Sequence, residues 1–178
     1  MSTSSDKRVL YSAALGQFVE WYDFVVYAYS ATVIAKLFFP TADPGTALLS
    51  AFAVYGVGFV MRPLGGFIFG SLGDRYGRRV VLAGIILGMG ASTVLMGLLP
   101  TYAQIGIWAP ILLVVLRLIQ GLSAAGETIG SNSFVAEHAP PHRRGLHVAF
   151  TYAFANLPPV AAALLILFLT TQLGTAAY

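Results

Sequence analysis

The chain has 178 residues, of which 57% are hydrophobic and only 10% charged, against about a quarter charged in an ordinary soluble domain. Ten Lys and Arg with seven Asp and Glu cannot coat a water-exposed surface, and a mean hydropathy of +0.78 directs most of the chain toward lipid or other apolar helices. The lack of cysteine excludes disulfide scaffolds, iron–sulfur clusters and thiol nucleophiles, while the net charge of +3 sits in short arginine clusters between apolar runs, a membrane-topology pattern and not a nucleic-acid surface.

A bilayer core about 30 Å thick takes roughly 20 helical residues, and five stretches qualify, near residues 12–37, 47–71, 80–99, 108–135 and 145–171. Glu20 and Asp23 interrupt the first, so it reads as a span and not as a cleaved leader. Pro40, Asp43, Pro44 and Gly45 close it. Asp74 through Arg79 separate the second span from the third, Pro100 to Pro110 the third from the fourth, and Pro140, Pro141, Arg143, Arg144 and Gly145 the fourth from the fifth. The pairs Gly66 and Gly70, Gly84 and Gly88, and Gly126 and Gly130 predict close helix contacts, and Pro158 with Pro159 predicts a bend in the last span.

Lys7, Arg8, Arg75, Arg78, Arg79, Arg143 and Arg144 all fall on one side if the helices alternate, whereas Lys36 alone lies near the opposite ends. The positive-inside rule then gives a multi-pass protein of the plasma (inner) membrane, with a cytoplasmic N-terminus and Tyr178 outside. The expected fold is an all-α membrane bundle with the lipid bilayer as its first partner.

Five ionisable residues fall inside the spans: Glu20, Asp23, Arg62, Arg117 and Glu127. Each costs about 2.5–3.5 kcal/mol at mid-membrane on insertion scales, so they need pairing or a polar cavity, and they are the functional candidates. Glu20 and Asp23 share a face of the first span, flanking Trp21 and Tyr22, with Tyr27 a turn further on. Arg117 and Gln120 share a face of the fourth, with Glu127 about 15 Å beyond Arg117. An acid and base pair between the first and fourth spans is therefore permitted. Arg62 has two routes, into a polar cavity or snorkelling to the cytoplasmic surface. His138, His142 and His147 lie beside prolines without a helical metal spacing. No metal, cofactor or catalytic constellation is expected, and the chain does not read as an enzyme.

The run Gly70, Ser71, Leu72, Gly73, Asp74, Arg75, Tyr76, Gly77, Arg78, Arg79 resembles the signature loop between helices two and three of the major facilitator superfamily. Within that superfamily, Glu20, Trp21, Tyr22, Asp23, Phe24 with Phe38, Phe39, Pro40 resemble the first helix of the metabolite:proton symporters. So do Gly58, Phe59, Arg62, Pro63, Gly65, Gly66 in the second helix and Arg117, Gln120, Gly121, Gly126, Glu127 in the fourth. Ala125 and Gln17 depart from the pattern, where glycine and asparagine are usual.

The resemblance implies a carrier of small organic acids or zwitterionic osmolytes that rocks between two six-helix halves, with residues 1–178 covering about five helices of the first half and the second half absent. The partners implied are a small-molecule substrate, protons, and the missing C-terminal half or another membrane chain. A non-transporting protein that pairs with another membrane chain is the competing expectation. An acid on helix one paired with an arginine on helix four implies Asp23 and Arg117: an anionic substrate competing for Arg117 would release Asp23 into dry surroundings, where it takes up a proton. Glu20 and Glu127 are further proton sites, and Arg62, Gln120, Tyr22 and Tyr27 further substrate-cavity groups. Gly70, Leu72, Gly73, Asp74, Arg75, Gly77, Arg78 and Arg79 are expected to act as a cytoplasmic gating latch.

Overall fold

The computed structural model describes residues 4–173, with side chains described throughout that range except at residues 4–9, 78, 129, 138, 172 and 173. The readings placed on Lys7, Arg8, Arg78, His138 and Tyr178 rest on side chains outside the described residues. Helix α1 (Ser4–Tyr29) runs into α2 (Ala31–Phe38) through Ser30, where the backbone ladder continues from Ser30 N–H to Val26 O and from Ile34 N–H to Ser30 O, both 2.9 Å. Asp43 starts α3 (Pro44–Val60): its carboxylate accepts from the Gly45 and Thr46 amides at 3.1 and 3.2 Å, and Pro44 fills a first-turn position whose amide needs no partner.

A break at Met61 separates α3 from α4 (Arg62–Tyr76). Pro63 has no amide hydrogen to give the Phe59 carbonyl, but Gly65 N–H still bonds Met61 O at 2.9 Å, so the two helices form one kinked span with Arg62 at the kink. Helix α4 stops at Gly77, whose φ of +92° is costly for any residue with a Cβ, and α5 (Arg78–Gly97) follows. Thr101 and Gln104 cap each other around the short α6 (Tyr102–Ile105). Helix α7 (Trp108–His138) is the longest. A 3₁₀ turn (Pro141–Arg143) leads to α8 (Arg144–Phe154) and, after the bend expected from the two prolines, to α9 (Pro158–Leu173).

Among the described residues, four helical stretches are long and apolar enough to cross a membrane: 44–76, 79–97, 108–137 and 141–171. The first stretch, expected to span near 12–37, is not one of them. Its face toward the bundle holds Gln17, Glu20 and Asp23, while Leu15 and Val19 point outward.

Helix α7 is the axis of the bundle, packing against α5, α4, α3, α1 and α8. Small residues allow this: a Cβ on Gly121 would run into the Gly58 carbonyl, one on Gly65 into the Leu122 carbonyl, and one on Gly126 would lie 2.6–2.9 Å from Ile85 and Phe69. Of the expected contact glycines, Gly126 is tightly packed and Gly88 touches Ser123 at an ordinary distance, but Gly70 and Gly84 face open space. A spacing of four marks a helix face without saying which faces meet a partner. Large apolar side chains such as Phe67, Leu87, Leu98 and Phe168 point outward, as they do on a helix bundle solvated by lipid.

Candidate functional site

Two acid and base pairs are stacked along α1, one helical turn apart. In the first, Asp23 lies 3.4 Å from Arg117 of α7, whose side chain is fully buried while that of Asp23 is 16% exposed. Gln120, one turn along α7 from Arg117, bridges the pair: its side-chain oxygen accepts from the Arg117 guanidinium and its amide donates to Asp23. That amide also reaches Thr93 Oγ1 on α5 at 3.0 Å. Arg117 Nε and its second Nη find no hydrogen-bond partner. They lie instead among aromatic faces, with the guanidinium carbon 4.1 Å from the Tyr27 ring centre and 4.5 Å from that of Phe24, an arrangement that stabilises a desolvated cation.

The second pair joins Glu20, fully buried, to Arg62 at 3.0 Å. Glu20 also accepts from Thr128 Oγ1 of α7 at 2.9 Å. Arg62 is turned inward, not snorkelled to the surface, because the kink at Met61 places it at the start of α4, where its guanidinium packs 4.6–5.2 Å from the ring centres of Phe24, Phe59 and Trp21. Phe24 thus packs against both guanidiniums.

Glu127 belongs to neither pair. It is 2% exposed, its Oε2 has no hydrogen-bond partner, and it meets α1 at Gly16, where any Cβ would collide with its carboxylate. It lies at the floor of a groove of about 630 Å³ between α1 and α5, whose lining includes Tyr22, Asp23 and Thr93. Tyr22 borders this groove and stacks on Phe18, with ring centres 5.9 Å apart. Tyr27 does not reach it: its hydroxyl donates to the Ala51 carbonyl at 3.2 Å, and its ring serves Arg117.

The run from Gly70 to Arg79, expected to act as a latch, ends α4 and makes the turn into α5. Gly73 is buried, Asp74 and Arg79 are exposed, Arg75 packs over the Tyr76 ring at 5.5 Å, and Gly77 makes the turn. Sequence reasoning anticipated the five charged groups together with Gln120 and Tyr27, but not the hydroxyl supports. Thr93 and Thr128 are ordinary hydroxyl residues in apolar spans, and only their positions opposite Gln120 and Glu20 distinguish them. Phe24 carried a signal, since it directly follows the paired acids.

Comparison with known proteins gives this geometry its context. Residues 9–173 match the family described as sugar (and other) transporter. The chain is 48% identical over 139 residues to the glycine betaine/proline/ectoine/pipecolic acid transporter OusA of Dickeya dadantii, and to the same extent to the proline/betaine transporter of Escherichia coli; in each case the match covers 78% of this chain and 28% of the relative. A putative proline/betaine transporter of Staphylococcus aureus is 45% identical over the same length. The chain therefore spans under a third of the length of the curated relatives it matches. No solved structure matches it. With its buried acid and base pairs inside an outwardly apolar helix bundle, the chain is an integral, multi-pass membrane protein, not an enzyme, and it belongs to the sugar (and other) transporter family of the major facilitator superfamily.

Proposed function

We propose that the chain forms the N-terminal part of a proton-coupled carrier of small zwitterionic osmolytes, proline and betaines among them, working by alternating access with a further polypeptide that supplies the opposite wall. The names of the relatives support the substrate class, and the Asp23, Gln120 and Arg117 cluster supports the coupling. Gln120 touches both charges at once, so it can keep either one hydrogen-bonded while the other changes partner. A substrate carboxylate drawn to Arg117 displaces Asp23. The freed carboxylate, held among apolar groups, is neutralised by a proton, and substrate and proton then move together.

Glu127 is the secondary proton site in this scheme and Tyr22 a supporting group on the groove wall, while Arg62 fixes Glu20 and the Tyr27 ring steadies Arg117 from behind the groove. The turn from Gly70 to Arg79 acts as the gating latch on the cytoplasmic side, the side on which the arginine distribution puts the N-terminus. The observation that carries the proposal is the ion pair between a fully buried arginine and a partly accessible aspartate on neighbouring helices.

Uptake of labelled proline and glycine betaine by cells expressing the protein, at several external pH values and with a proton uncoupler, tests it. Asp23→Asn should abolish uphill accumulation and leave counterflow exchange partly intact. Survival of pH-dependent accumulation in that variant refutes the coupling role of Asp23.

A further inference from the structure

We infer that Glu127 and Ser131 of α7, with Ser12 of α1, form a binding site for a single Na⁺ ion, supported by Gln17. The three residues line a cavity of about 90 Å³ whose other walls are apolar, Leu82 and Phe134 among them. At about 30 Å³ per water, that is room for one ion with one or two waters. Ser131 follows Glu127 by one turn of α7, and the two are 3% and 2% exposed. Gln17, fully buried on α1, donates from its amide nitrogen to the Ser131 hydroxyl at 3.5 Å, so α1 and α7 meet around this cavity.

The cluster is rich in acceptors and short of donors. Glu127 Oε2 and Gln17 Oε1 are both buried with no hydrogen-bond partner, and the Ser131 oxygen, which accepts from Gln17, keeps a second lone pair. The charge is unbalanced as well. Glu20 is matched by Arg62 and Asp23 by Arg117, and no Lys or Arg lines the cavity. A trapped water can serve the acceptors but leaves a negative charge in hydrocarbon, whereas a monovalent cation serves them and cancels the charge. The donors also choose the ion. All are oxygens, which suit a hard cation, and one carboxylate balances one positive charge. Among the described residues no group of three or more His, Asp or Glu is gathered to hold a metal of higher charge. A small cavity with few protein oxygens selects Na⁺ over the larger K⁺. Ser12, Ile86 and Glu127 line the groove between α1 and α5 as well as this cavity, which gives the ion its way in.

This deepens the reading of Glu127 as a secondary proton site, since Na⁺ and a proton are alternative occupants of one carboxylate. The test is equilibrium binding of radiolabelled Na⁺ to the purified full chain in detergent micelles, with choline chloride holding the ionic strength and the pH fixed and mildly alkaline. One Na⁺ per chain should bind saturably, Li⁺ should displace it, and K⁺ should compete at least about tenfold more weakly. Glu127→Gln should abolish saturable binding, and Ser131→Ala should weaken it about tenfold. Na⁺ should also raise the dodecyl sulfate fraction at which the parent unfolds, because a ligand of the folded state alone stabilises that state. In choline without Na⁺, Glu127→Gln should unfold at no lower fraction than the parent, since it removes a buried charge that nothing balances. That comparison separates a lost site from a lost fold.

Saturable Na⁺ binding that persists in Glu127→Gln overturns the inference, as does competition by K⁺ equal to that by Na⁺ or binding untouched by Ser131→Ala. Absence of binding, with unfolding the same in Na⁺ and in choline, makes water or a proton the occupant and also overturns it. Glu127→Gln unfolding earlier than the parent in choline overturns the charge imbalance on which the site rests. Binding is read without transport, so none of these results bears on whether Asp23→Asn uncouples uptake, and loss of that coupling leaves the Na⁺ measurement intact.

Discussion

Replacing Arg117 by Met measures how far the α1 and α7 pair holds the bundle together. At 3.4 Å and an effective dielectric near 20, the gross attraction between the two charges is about 5 kcal/mol. Desolvation of both groups offsets much of that, so the intact pair contributes far less than the gross figure. Removing one partner is the costly step, about 3–5 kcal/mol for a buried pair, because the survivor is left uncompensated. Asp23 is slightly accessible and keeps the Gln120 amide, which places Arg117→Met toward the lower end, near 3 kcal/mol. Replacing both, Arg117→Met with Asp23→Asn, leaves no stranded charge and should return to within about 1 kcal/mol of the parent, since uncharged replacements of buried pairs are often neutral. The assay is unfolding in mixed micelles at rising dodecyl sulfate fraction, followed by tryptophan fluorescence, with the two single variants completing the cycle. A single variant costing under about 1 kcal/mol, or a double variant whose cost is the sum of the singles, would refute the buried-pair account.

Helix packing at Gly121 and capping at Asp43 give two further expectations. Gly121→Ala forces a methyl group into the Gly58 backbone, which cannot rotate away, so it should destabilise by about 1–3 kcal/mol in the same unfolding assay, whereas Gly84→Ala, facing open space, should change stability by no more than about 0.5 kcal/mol. At the start of α3, hydrogen bonds from the Thr46 side chain and backbone, with a further one from Gly45, hold the Asp43 carboxyl below its ordinary value of 3.8. A lowered carboxyl stabilises the folded cap above the unfolded value and loses that contribution as pH falls through the folded one, so amide protection at Thr46 and Ala47, corrected for intrinsic exchange, should decline over that interval in the parent and stay flat in Asp43→Asn.

The sequence displays the membrane class, the turns and the charged groups because each has a strong local cause: hydropathy over about 20 residues, proline and glycine punctuation, and the high cost of a charge in lipid. The pairing of Asp23 with Arg117 was open to reasoning from helical spacing together with the family resemblance. The pairing of Arg62 with Glu20 was not, because it depends on a kink at Met61 that aims Arg62 inward, and the sequence marks that kink only by Pro63. The contact glycines show the same limit. Gly121 and Gly65 oppose backbone carbonyls on neighbouring helices, a relation set by helix rotation, and rotation is decided by the whole bundle. Thr93 and Thr128 were hidden for a chemical reason: a hydroxyl in an apolar helix can bond its own backbone, as Thr128 also does to the Ala124 carbonyl at 3.2 Å, so its presence does not demand a tertiary partner.

The two acids of α1, only three residues apart, end in different mechanical settings. Glu20 is fully buried and held by a cation on α4 and a hydroxyl on α7, so moving it means breaking contacts with two helices. Its arginine is wedged among three aromatic rings at a proline kink. Asp23 is accessible at its edge, and its bridging partner Gln120 also touches Thr93 of α5, so the acid can leave Arg117 while Gln120 and Thr93 remain joined. A switch needs an arrangement whose members have somewhere else to bond, and a strut needs one whose members do not. On that ground the Glu20 and Arg62 pair fits a strut that fixes α1 against the α3 and α4 kink. The Asp23 and Arg117 pair, one turn away and sharing the Phe24 ring with Arg62, fits the element that changes state.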